Sequence, residues 1–259
     1  MPQLANGSHK DVNISDLLPS GFSVEMYALA AFIIFIAAVV QSAFGMGFGQ
    51  VAAPFLLLID PSLVPVPILF MGMTVSCLSA YRGLKDISFS ELGYALSGRL
   101  VGIFIAAEVM IAIVASPKFM IVFACLILAA VAISMIKKQF YPTPKPLIIA
   151  GAFSGFLGTI TSVGAPPMGL IYQNRSGQNV RATLNAFFGG GTVMALIVLG
   201  FYGLVERQHI LLALALFPSL LLGTWAARFI FPYIDKQFRP LVLSICTTSA
   251  LLILYKAVF

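Results

Sequence analysis

Gly45-Met46-Gly47-Phe48-Gly49 interrupts an apolar run over residues 26–59, and Thr161-Ser162-Val163-Gly164-Ala165-Pro166-Pro167 interrupts a second over 147–172. One continuous helix over the first run would extend about 50 Å at 1.5 Å per residue, too long for an untilted crossing. Glycine adopts backbone conformations closed to other residues and proline removes an amide donor, so both runs are predicted to be broken within the membrane. Non-helical backbone at that depth is tolerated only where protein buries it or where it lines a cavity. Two such breaks in one chain therefore point to a binding site of the kind transporters build.

Around these breaks lie 259 residues with 15 Lys and Arg, 9 Asp and Glu and a 60% hydrophobic share, at a mean hydropathy of +1.01. A soluble domain carries about a quarter charged residues, so this composition excludes one. Apolar runs at 26–59, 62–81, 90–114, 118–136, 147–172, 183–202, 209–231 and 239–258 are separated by short stretches that hold nearly all the charge. Barrel-type alternation is absent, and the predicted fold is an all-α polytopic membrane protein of eight hydrophobic segments. Residues 1–25 are polar and include Lys10, Asp11, Asp16 and Glu25, which fits a tail rather than a cleaved signal peptide.

The two halves, 26–140 and 141–259, follow one plan of four segments. Gly45 falls on Gly164 at an offset of 119 residues, Gly83-Leu84 on Gly203-Leu204 at 120, Gly102 on Gly223 at 121 and Phe119 on Phe238 at 119. If each broken run dips in and returns, Arg82, Lys85, Lys137, Lys138, Lys145, Arg175, Arg181, Lys236 and Arg239 share one side, against Lys118, Arg207 and Lys256. That distribution follows the positive-inside rule, whereas single crossings divide the cations almost evenly. Re-entrant first segments, inverted halves and both termini outside are the expected arrangement.

Enzymatic chemistry finds no support. The two histidines are His9 in the tail and His209 at a loop, so no apolar run holds a Ser-His pair, and Cys77, Cys125 and Cys246 lie apart in apolar runs as packing residues. No cofactor or metal is expected, and the scattered basic residues form no patch for nucleic acid. The polar groups at the breaks are neutral: Gln41, Ser42 and Gln50 in the first half, Ser154, Thr159, Thr161 and Ser162 in the second. With backbone N–H groups exposed by Gly45, Gly47, Gly49 and Gly164, and the positive ends of half-helices, they suit a small anion better than a metal cation. Arg99, well inside the third run, is a candidate anion contact, and the alternative is that it snorkels to the headgroups. Arg181 could draw an anion toward the site or simply anchor topology, and Asn185 is placed one turn inward. Glu108, the one acid well inside a run, would serve a proton-coupled carrier. The glycines alone also fit close helix packing, as in a non-transporting scaffold.

The breaks and their surroundings resemble the sulfite exporter family TauE/SafE. The likeness rests on Gly45-Met46-Gly47-Phe48-Gly49 with Pro54 downstream, and on Ser154-Gly155-Phe156-Leu157-Gly158 with Val163-Gly164-Ala165-Pro166-Pro167 and Arg181-Ala182-Thr183-Leu184. Phe48, Ser162 and Ala165 stand where family members carry glycine. The resemblance implies a multi-pass protein of the bacterial inner membrane that exports sulfite or organosulfonates such as sulfoacetate, with both motifs meeting at the substrate. An inside-negative potential favours anion exit by about 2.3 kcal/mol per charge per 100 mV, so export needs no second ion. The expected partners are the small anionic substrate and the lipid bilayer, with a homodimer as a further option. The alternatives are a carrier or channel for another small anion or a Glu108-coupled solute, and a membrane scaffold.

Overall fold

The computed structural model describes residues 23–116, 118–136, 140–175, 177–230 and 238–258, and among them every regular element is helical. The run 26–59 is divided into α1 (Val24–Phe44) and α2 (Phe48–Ile59), and the run 147–172 into α6 (Pro144–Thr161) and α7 (Ala165–Ile171). The others are α3 (Val66–Arg82), α4 (Phe89–Ile113), α5 (Phe119–Ser134), α8 (Gln178–Phe201), α9 (Arg207–Ile230) and α10 (Phe238–Val258). The tail to residue 22 and Lys137, Lys138 and Lys236 lie outside the described residues.

Local chemistry sets the helix starts. The Ser23 hydroxyl accepts from the Met26 N–H at 3.2 Å with Glu25 in the first turn, and proline, which has no N–H to leave unpaired, opens α6 and α7. Among the described residues, five segments are long and apolar enough to cross a membrane: Val24–Phe44, Pro61–Arg82, Phe89–Ile113, Gln178–Phe201 and Arg207–Phe229. The protein is a multi-pass membrane protein, but length and apolarity alone do not reach eight crossings: α5 and the apolar stretch Cys246–Tyr255 of α10 are shorter, and the run 147–172 is not among the five. Phe32, Phe104, Ile105, Phe153 and Phe201 point outward from these helices, as a lipid-facing surface requires. Cys77 and Cys125 share that outward exposure rather than packing inside; Cys246 is buried, and its thiol meets the Gln50 carbonyl at 3.0 Å.

Contacts between the halves are reciprocal. The first helix of the second half, α6, packs on α4, while the first helix of the first half, α1, packs on α9. In the first pair Gly98 lies against Ile148 and Gly102 against Ala152, so α4 and α6 run parallel. In the second, the Tyr27 hydroxyl donates to the Ala215 carbonyl at 2.7 Å and Gly223 lies on Phe35, again a parallel pair. Between them α3 and α8 run antiparallel, with Gly83 on Ala182 and Gly189 on Cys77. Gly102 and Gly223, matched in the sequence, each serve the corresponding contact.

Candidate functional site

Each break is a short non-helical link with a left-handed residue at the end of its first helix. Gly45 (φ 78°) closes α1 and donates to the Gln41 carbonyl, and Ser162 (φ 61°) closes α6 and donates to the Gly158 carbonyl. Gly47 and Gly164 then precede α2 and α7. Backbone handedness matches Gly45 with Ser162, two residues off the register read from glycine identity, and in that register Gly47 and Gly164 share the place before the second helix, though Gly47 is left-handed (φ 111°) and Gly164 is not (φ −91°). Thr161 is held inside its own turn, donating to Leu157 and accepting from Val163 N–H.

Gln41 ties the first break together. Its Oε1 accepts from the Phe48 N–H at 3.1 Å, and its Nε2 reaches the Gly45 carbonyl at 3.1 Å, Ser76 Oγ at 3.0 Å and Asn185 Oδ1 at 3.1 Å. The second break is tied by Ser154, whose hydroxyl donates to the Gly164 carbonyl at 2.6 Å. The two breaks touch: Gly49 packs directly on the Ser162 carbonyl, with no space for a Cβ.

Beside this contact lies a cavity of about 40 Å³ lined by Gln41, Gly47, Gly49, Gln50, Ser162 and Gly164 from the breaks and by Arg99 from α4. Roughly 10–15 Å³ holds one water, so the space suits a group of a few heavy atoms. Arg99 is only 3% exposed. Its guanidinium stands 4.7 Å from the Phe187 ring and 5.4 Å from the Phe188 ring, and donates one hydrogen bond, 3.3 Å from Nη2 to Thr192 Oγ1. Nε and Nη1 are buried without a protein acceptor, and among the described residues no carboxylate pairs with the group. It does not snorkel.

Of the residues singled out from the sequence, Gly45, Ser154, Thr159 and Thr161 do not line this cavity. Neither do Ser42, Arg181 and Asn185, which border a separate cleft of about 290 Å³ with Arg82 and Arg228, beyond the Gln41–Asn185 hydrogen bond. Glu108 is exposed and accepts from the Tyr202 hydroxyl at 2.6 Å, away from the cavity. Sequence reasoning missed Ser76, Thr192 and Phe188. The available signal was Gly189-Gly190-Gly191 in mid-α8: the guanidinium occupies the space that a side chain at Gly191 would need.

The model of the family described as "Sulfite exporter TauE/SafE" matches residues 30–253, nearly the whole helical region. The chain belongs to the TauE/SafE family. No curated protein and no solved structure matches it at significant similarity. Membership places the chain in a family of membrane transporters described as sulfite exporters, and the matched stretch includes both breaks and Arg99.

Proposed function

We propose that this TauE/SafE protein exports a small sulfur oxyanion, sulfite in preference to larger sulfonates, across the bacterial inner membrane, binding it between the two breaks. The observation that carries this reading is Arg99, a buried cation with two unpaired donors that borders a cavity otherwise lined by neutral groups. Charge-assisted hydrogen bonds from a guanidinium recognise oxyanions well. A volume of about 40 Å³ favours a four-atom anion such as sulfite over sulfoacetate, with its second anionic group. Glu108, engaged with Tyr202 outside the cavity, makes a proton relay through that carboxyl the weaker alternative.

Re-entrant segments and inverted halves complete the proposal, and the helix directions support them. Short loops reverse the chain between α3 and α4 and between α8 and α9. Combined with the parallel and antiparallel pairs, this gives α1, α3 and α9 one direction and α4, α6 and α8 the other. Counterparts α1 and α6, α3 and α8, and α4 and α9 then oppose one another. Since α1 and α3 point the same way, α2 brings the chain back, and α7 does so between α6 and α8. Alternating access would rock one group of helices against the other around the cavity.

The test is sulfite-dependent thermal stabilisation of purified protein, together with counterflow of labelled sulfite in proteoliposomes. Sulfite is expected to raise the unfolding temperature of the wild type and to leave that of Arg99→Gln unchanged. Equal stabilisation of both proteins would remove Arg99 from the site.

A further inference from the structure

We propose that the protein works as an anion exchanger, in which outward movement of one small anion requires return of another, such as nitrate, chloride or a second sulfite. This rests on the Arg99 cavity being the transport site, and concerns what happens there between turnovers.

The carboxylates described in the helices and loops around Arg99 do not compensate it. Glu108 is engaged by Tyr202, Glu91 by Tyr172 and Arg175, Asp60 by the Ser62 N–H and Asp86 by Gln178. None of them contacts the guanidinium. Phe187 and Phe188 offer ring faces and Thr192 one long hydrogen bond, which leave Nε and Nη1 without acceptors at 3% exposure. A buried charge lacking a partner is penalised heavily, and pairing removes most of that penalty.

Any alternating-access cycle must pass through a state in which the cavity is shut off from water on both sides. With a monoanion against Arg99 that state carries no net charge. With the site empty it holds a bare cation in a low-dielectric enclosure. The loaded crossing is therefore fast and the empty return slow, which is the kinetic definition of exchange. One hydrogensulfite, the monoanionic form of sulfite, out for one monoanion in moves no net charge, so the cycle is insensitive to membrane potential, unlike the potential-driven exit of a uniporter.

Labelled sulfite efflux from proteoliposomes into nitrate or sulfite medium, compared with efflux into gluconate, whose anion is too large for the cavity, tests this. Exchange predicts efflux at least about tenfold slower into gluconate, the ratio given by a modest barrier difference, with no response to a potassium-valinomycin potential. Equal rates in all media, or efflux that follows the potential, would overturn it. Unfolding temperatures give a second reading. The wild type should be less stable in gluconate than in nitrate, and Arg99→Gln should be indifferent to the anion and at least as stable as wild type in gluconate. An Arg99→Gln protein less stable than wild type in gluconate would mean the guanidinium is already compensated, contrary to the proposal. Nitrate exchange without sulfite flux would refute the sulfite reading and leave exchange standing, whereas full-rate sulfite efflux into gluconate would do the opposite.

Discussion

Arg99 shows how a single side chain decides between a packing motif and a binding site. Small residues at the breaks suit close helix packing equally well, but packing gives no reason to bury a guanidinium beside them with two nitrogens unpaired. Charged hydrogen bonds contribute about 1.5–3 kcal/mol each. Replacing Arg99 by Gln should therefore weaken sulfite binding by roughly tenfold to a hundredfold, as read by equilibrium titration of the purified protein. Gln41 acts one step away, through the backbone. A Gln41→Leu change leaves the buried Phe48 N–H without its acceptor and removes the link to Asn185, and should lower stability by about 1–3 kcal/mol. Gly45 is set by its φ of 78°, with the Arg181 carbonyl 2.9 Å from where a Cβ would stand. Gly45→Ala should lower stability by about 1–2 kcal/mol from the left-handed conformation alone, measured by thermal unfolding. Ser162, at the equivalent place, already carries that strain.

Among the elements, the α4–α6 pair is the most closely packed contact. Gly98, Gly102, Gly151 and Gly155 each lie where a Cβ would strike backbone of the other helix, so the two behave as one rigid unit that carries Arg99. Gly151→Ala forces the axes apart and should destabilise by about 1–3 kcal/mol through overpacking, and the displaced Arg99 should weaken sulfite binding in the same variant. The sequence made the breaks legible because Gly45, Gly47, Gly164, Pro166 and Pro167 act on the backbone locally. It did not reveal Ser76 and Thr192 at the cavity, since a lone hydroxyl in an apolar helix carries no signal of which neighbour it faces. Arg181 and Asn185 were read as cavity groups from proximity along the chain, yet the Gln41–Asn185 bond sets them on the far side of a partition. The register shift at the breaks has a similar origin: glycine identity matched Gly45 to Gly164, whereas the handedness of the turn matches Gly45 to Ser162.

For the whole molecule, the proposed two-fold relation between oppositely directed halves would fix which loops share a side. The loop after α3, with Arg82 and Lys85, and the loop between α7 and α8, with Arg175, then lie together; the Gln178 side chain bonds Asp86 across them at 2.7 Å and the Asn179 amide bonds the Asp86 carbonyl at 2.6 Å. The loops that carry Lys118 and Arg207 fall on the opposite side. With the basic excess facing the cytoplasm, single cysteines at Lys85 and Lys118 in a background without Cys77, Cys125 and Cys246 should be labelled by a membrane-impermeant maleimide from opposite faces. Lys85→Cys should react only in inside-out vesicles and Lys118→Cys only in intact spheroplasts, with Arg207→Cys following Lys118→Cys. If α2 and α7 crossed instead of returning, the number of crossings between Lys85 and Arg207 would change by one. Arg207→Cys would then react from the same side as Lys85→Cys, so the sidedness of that one pair separates a re-entrant second break, the one that lies between these positions, from a through-going one.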